Sequence, residues 1–91
     1  MTTAEIEAAI LNLRDDWPAR ALLSILDALA AAEQLSAQPV PGSATSPADL
    51  RAYGRTQLAR LRQTVAAALG GGDRAVQAVI AALAAALEEP A

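Results

Sequence analysis

The sequence predicts an all-α protein, a small bundle of four helices, and three observations carry that expectation. Apolar residues recur every three or four positions along four stretches, which is the spacing of a helix face and not the alternation of a strand. Start and stop signals punctuate those stretches, with Ser or Thr three residues ahead of an acid and Pro or Gly between them. The composition supplies 25 Ala and 13 Leu in 91 residues, with no Phe, one Trp and one Tyr. Such a core is aliphatic, and its many Ala allow thin, closely spaced layers. At this length the chain is one domain, 1–91, that buries about two thirds of its unfolded surface.

The first helix is expected over residues 3–15. Thr2 followed by Glu5 reads as a capping box, and Ile6, Ile10, Leu13 and Trp17 then step by four, three and four. Trp17 is expected to be the largest anchor of the core, with an interface role as the minor reading. Pro18 disfavours helical geometry at Trp17, and Asp15 and Asp16 are cap residues, so a second helix is expected over 18–35. Its stripe is Leu22, Ile25, Leu26, Leu29 and Ala32. The alternative is three helices, with the first two running through Pro18 as a kink.

Residues 36–46 (SAQPVPGSATS) are a flexible linker by composition. Ser46, Pro47 and Asp49 give an N-cap, a Pro at the first helical position and an acid in the first turn, opening a third helix over 47–69. Its stripe is Leu50, Leu58, Leu61 and Val65, with Gly54 on the same face, where a neighbouring backbone has room to approach. Gly70, Gly71 and Gly72 end it, and Asp73 can cap a fourth helix over 74–88. A turn that short predicts an antiparallel hairpin of the third and fourth helices.

The fourth helix is unusual. From Ala75 to Leu87 its only polar side chain is Gln77. Val76, Ile80, Leu83 and Leu87 form one face, and Ala78, Ala81, Ala82 and Ala85 form the back, where a surface helix normally carries polar residues. Leu11 and Leu23 also lie about 100° off the main stripe of their own helices. Together these six residues, Leu11, Leu23, Ala78, Ala81, Ala82 and Ala85, are the candidate interface. Ala is also the strongest helix former, so the same back is consistent with a face that simply meets water.

Charge is segmental. Residues 1–49 carry seven acids against Arg14 and Arg20, a net of −5, whereas residues 50–62 carry four Arg and no acid, a net of +4. Arg51, Arg55 and Arg62 fall within about 40° of one another on a helical wheel, beside the apolar stripe, and Arg60 points away. The plain reading is that this flank faces the acids of the first two helices; the sharper one is an anion-facing strip of Arg51, Arg55 and Arg62. A helix-turn-helix does not fit, because Arg60 and Gln63 would fall where apolar residues are needed. The overall charge of −3 also lacks the basic excess of a nucleic-acid binder.

With no Cys, His or Lys, the sequence excludes disulfides, thiolate and imidazole metal sites, Ser-His triads, Schiff-base chemistry and a Walker A lysine. The Gly70–Asp73 turn resembles a phosphate cradle only in its glycines, since Asp73 stands where the anion would sit. Asp15–Asp16 and Glu88–Glu89 are adjacent acids that point to different helix faces, so they read as caps and solvated ends, not as a metal site.

No catalytic residue, metal ligand or cofactor is therefore expected, and the chain is expected not to be an enzyme. The apolar run of the fourth helix is well short of the roughly 20 residues that span a bilayer, and the N-terminus has no signal-peptide pattern. The expectation is a bacterial, cytoplasmic protein, its Ala, Arg and Leu bias reflecting a GC-rich genome. Its function is expected to be a helical protein–protein interaction or adaptor module, self-associating or part of a heteromeric complex. The alternative is a nucleic-acid-associated accessory protein using the Arg-rich third helix.

Overall fold

The computed structural model describes residues 2–13, 16–42, 44–69 and 74–88. Four helices make up the fold, and no strand occurs among the described residues. They are α1 (Thr3–Leu11), α2 (Asp16–Ala37), α3 (Pro47–Leu69) and α4 (Arg74–Glu88).

α1 opens on the expected capping box. The Glu5 N–H donates to the Thr2 hydroxyl at 3.2 Å, and the Thr2 N–H donates to the Glu5 carboxylate at 3.0 Å, satisfying two donors that a helix start leaves free. The helix ends earlier than its apolar spacing suggests. Asn12 is the C-cap, and the Leu13 N–H turns back onto the Ile10 carbonyl at 3.0 Å. Pro18 lies in the first turn of α2, where its missing N–H breaks no bond, and its ring is buried. The break therefore falls before α2 begins, and the kinked three-helix alternative does not hold.

That break also corrects the reading of Trp17. It belongs to α2, not to the Ile6–Ile10 stripe of α1, and it is 42% exposed. Pro18, one residue on, is the side chain that faces inward.

α3 starts on a second reciprocal cap. The Asp49 N–H donates to the Ser46 hydroxyl at 3.1 Å, and the Ser46 N–H reaches the Asp49 carboxylate at 3.5 Å. Between α2 and α3 the chain turns at Pro41–Gly42, and Gly42 takes a φ of +77°, a conformation that costs glycine little. The Gly70–Asp73 turn and Asp15 lie outside the described residues.

Each helix gives one apolar face to a common core: Ile6 and Ile10 of α1; Leu22, Ile25, Leu26 and Leu29 of α2; Leu58, Leu61 and Val65 of α3; Val76, Val79, Ile80, Leu83 and Leu87 of α4. Removing one such side chain from water is worth about 1.5–3 kcal/mol, so α4, with five of them, anchors the bundle most heavily. α2 packs on α1, α3 and α4, α3 packs on α4, and α1 closes the ring by packing on α4. The molecule measures 44 × 22 × 20 Å. A cross-section of that size is two helices by two at about 10 Å each, so every helix keeps one outer face toward solvent.

α3 and α4 form the expected antiparallel hairpin, because the start of α3 meets the end of α4. Two arginines and one glycine of α3 make that junction. Arg51 donates from Nη1 to the Ala86 carbonyl at 2.7 Å, and Arg55 donates from Nη1 to the Leu87 carbonyl at 3.0 Å. A Cβ on Gly54 would lie 2.8 Å from Leu87 Cδ2, so the absent side chain leaves the space that Leu87 fills. The close approach at Gly54 thus comes from a neighbouring side chain, not from a neighbouring backbone.

Candidate interaction surface

The core accounts for one side of α4 and leaves the other uncovered. Ala78, Ala81 and Ala85 are exposed, as are Arg74 at the start of the helix and Glu88 at its end. Ala82 is half-buried and packs against the core, so it belongs to the bundle more than to the outer face. Beside this face, an open groove of about 310 Å³ runs between α1 and α4, lined by Ala9, Asn12, Ala75, Ala78 and Val79. Its walls are apolar apart from Asn12. α1 and α4 are Ala-rich where they flank the groove, and among the described residues no bulky side chain fills it.

The two leucines separate. Leu11 is 67% exposed, at the last position of α1, whereas Leu23 is half-buried against the core. Leu11 also projects about 160° away from Ala9, so it does not extend the α1–α4 groove. Tyr53 and Val40 are further exposed apolar side chains, on α3 and in the α2–α3 connection.

The arginine flank faces something that side-chain patterns do not reveal. Arg51 is only 9% exposed, and both Arg51 and Arg55 are bonded to the last carbonyls of α4, not to the acids of α1 and α2. Those carbonyls have no partner within their own helix and carry the negative end of its dipole, which is the physical reason two guanidiniums gather there. The Nε of Arg51 is buried without a hydrogen-bond partner. Arg62 is exposed and lines a shallow cleft of about 130 Å³ with Arg55, Leu58, Ala59, Ala84 and Glu88. Sequence reasoning found these arginines but not their carbonyl partners. The available signal was their spacing of one turn from each other, with a helical Gly between them, opposite the end of an antiparallel neighbour.

A third depression, about 290 Å³ and open, lies between α2 and α3 and is lined by Ser24, Gln57, Arg60 and Thr64 together with Ala21, Ile25 and Leu61. The Thr64 hydroxyl is already bonded to the Arg60 carbonyl. Among the described residues, no group of three or more acids is placed to hold a metal ion, and no helix is long and apolar enough to cross a membrane. Glu5 is the one described group whose ionisation is clearly shifted. The Thr2 backbone N–H, and after it the Thr2 hydroxyl, hold its carboxyl below the usual range. That shift belongs to the helix cap, not to a reactive site.

The feature that stands out is thus a helix face: apolar through its middle, bordered by an apolar groove, and charged at its two ends. No protein-family model matches the chain, and neither the curated proteins nor the solved structures contain a match to it.

Proposed function

We propose that this protein is a non-enzymatic helical protein–protein interaction module that self-associates or joins a heteromeric complex. One observation carries the reading: α4 gives one side to the core and presents Ala78, Ala81 and Ala85 on the other, alongside the apolar groove with α1. An apolar outer face next to an unfilled apolar groove leaves surface that a partner removes from water. A bacterial, cytoplasmic protein is part of this proposal, the origin resting on the Ala, Arg and Leu bias of the sequence.

Light scattering across a dilution series tests it. The mass is expected to rise with concentration, and Ala85→Glu, at an exposed position, is expected to lower it without unfolding the chain. Ala82→Glu is a poorer probe, because Ala82 also packs against the core. A monomer at every concentration, with Ala85→Glu indistinguishable from the parent, contradicts self-association. The nucleic-acid alternative has less to rest on, since Arg51 and Arg55 already bond backbone carbonyls.

A further inference from the structure

The outer face of α4 has an electrical pattern that names its partner. Arg74 opens the helix and Glu88 closes it, both exposed, with Ala81 midway between them. The three recur at seven-residue intervals and fall within about 40° on the helix, with Ala78 and Ala85 completing a four–three repeat. Both charges sit at the ends where the helix dipole disfavours them, a cation at the N-terminus and an anion at the C-terminus. Neither α1 nor α3 is built this way, since each has an acid in its first turn.

At the C-terminal end Arg51 and Arg55 already meet the α4 carbonyls and Glu88 shares a cleft with Arg55 and Arg62, whereas an antiparallel second copy of α4 gives Arg74 an anion and Glu88 a further cation at once. With a two-fold axis at Ala81, Arg74 lies about 10.5 Å along the helix on one side and Glu88 about 10.5 Å on the other. Each Arg74 then faces the partner's Glu88 and the negative end of the partner's α4. Each Glu88 faces the partner's Arg74 and the positive end of the partner's α4. Ala78, Ala81 and Ala85 between them carry only a methyl group, so the two helices can meet at the short end of the usual 8–10 Å spacing. A parallel arrangement would set Arg74 against Arg74 and Glu88 against Glu88.

We infer that the protein forms a homodimer through an isologous, antiparallel α4–α4 seam centred on Ala81, locked by two symmetric Arg74–Glu88 pairs. This rests on the reading of the chain as an interaction module and names the partner as a second copy. A seam as long as α4, about 22 Å, is at the small end of specific interfaces, so the association is weak and is read at high concentration.

Sedimentation equilibrium of the full chain up to about 1 mM tests the inference, with far-UV circular dichroism confirming that each variant is folded. Ala81→Glu is expected to weaken dimerisation at least tenfold. Arg74→Glu and Glu88→Arg, each alone, are expected to weaken it about fivefold, because each creates two like-charge contacts by symmetry. The double variant Arg74→Glu with Glu88→Arg is expected to return to within about twofold of the parent, since the pairs are restored with their signs exchanged. Arg62→Ala, which removes one of the two α3 cations that share a cleft with Glu88, is expected to leave the dimer unchanged. A dimer indifferent to Ala81→Glu and to the charge reversals overturns the seam and leaves the interaction-module reading standing. A parent chain that stays monomeric to the top of the range overturns the homodimer, and with it the self-association in that reading.

Discussion

Gly54→Ala separates two forces that act in opposite directions at one site. In an exposed helix, replacing Gly by Ala stabilises by about 1 kcal/mol, because it removes backbone freedom from the unfolded chain. Here the new Cβ would lie 2.8 Å from Leu87 Cδ2 and 3.3 Å from Cδ1. Leu87 has little room to yield: its side chain is fully buried, and its carbonyl is held by Arg55 at 3.0 Å. Overpacking of this kind costs about 1–3 kcal/mol, so the net effect is a loss of about 0–2 kcal/mol. For a chain this size that lowers the melting temperature by up to about 15 °C, read by circular dichroism or urea denaturation. Leu87→Ala alone costs about 2–5 kcal/mol. In that background the clash is absent and Gly54→Ala becomes stabilising, so the double-mutant cycle shows a coupling of about 1–3 kcal/mol. A single Gly54→Ala variant that gains the full helix-propensity increment refutes the close packing of α3 against the end of α4.

Two further outcomes follow from the helix ends. Arg51→Ala is expected to destabilise by about 1–3 kcal/mol, because a buried charge-assisted bond to the Ala86 carbonyl is lost along with the packing of the stem. Arg51→Met is expected to cost less, since it keeps the stem and removes the unpartnered Nε; urea midpoints in the reverse order contradict the assignment. Glu5 has its folded pKa depressed by Thr2, so its contribution is present above the unfolded value of about 4.3 and is lost as pH falls through the folded value. The gap in melting temperature between the parent and Thr2→Ala is therefore expected to narrow from pH 7 toward pH 3. A gap that stays constant across that range shows that the cap acts without the Glu5 charge.

The helix framework was legible because its signals are local. Ser46, Pro47 and Asp49 mark the start of α3, and Thr2 with Glu5 marks that of α1, through contacts made within three residues. The end of α1 was less legible. Leu13 and Trp17 continue the apolar spacing of Ile6 and Ile10, but the chain breaks after Leu11, and periodicity alone does not register a break. Trp17 was misplaced for that reason. The outward Ala78, Ala81 and Ala85 were visible from the wheel, whereas the inward lean of Ala82 depends on where the neighbouring helices sit. The partners of Arg51 and Arg55 were not legible, because backbone carbonyls have no letter in the sequence.

Binding of a second copy through the outer face of α4 is read out by the melting temperature measured against protein concentration. Binding that favours the folded state raises stability by mass action. Above the dissociation constant, a tenfold rise in concentration adds about 0.7 kcal/mol per chain, or about 3–5 °C. The melting temperature of the parent is expected to climb by that amount as the concentration approaches about 1 mM, and that of an Ala81→Glu chain to stay flat. A parent chain with the same melting temperature at every concentration contradicts it.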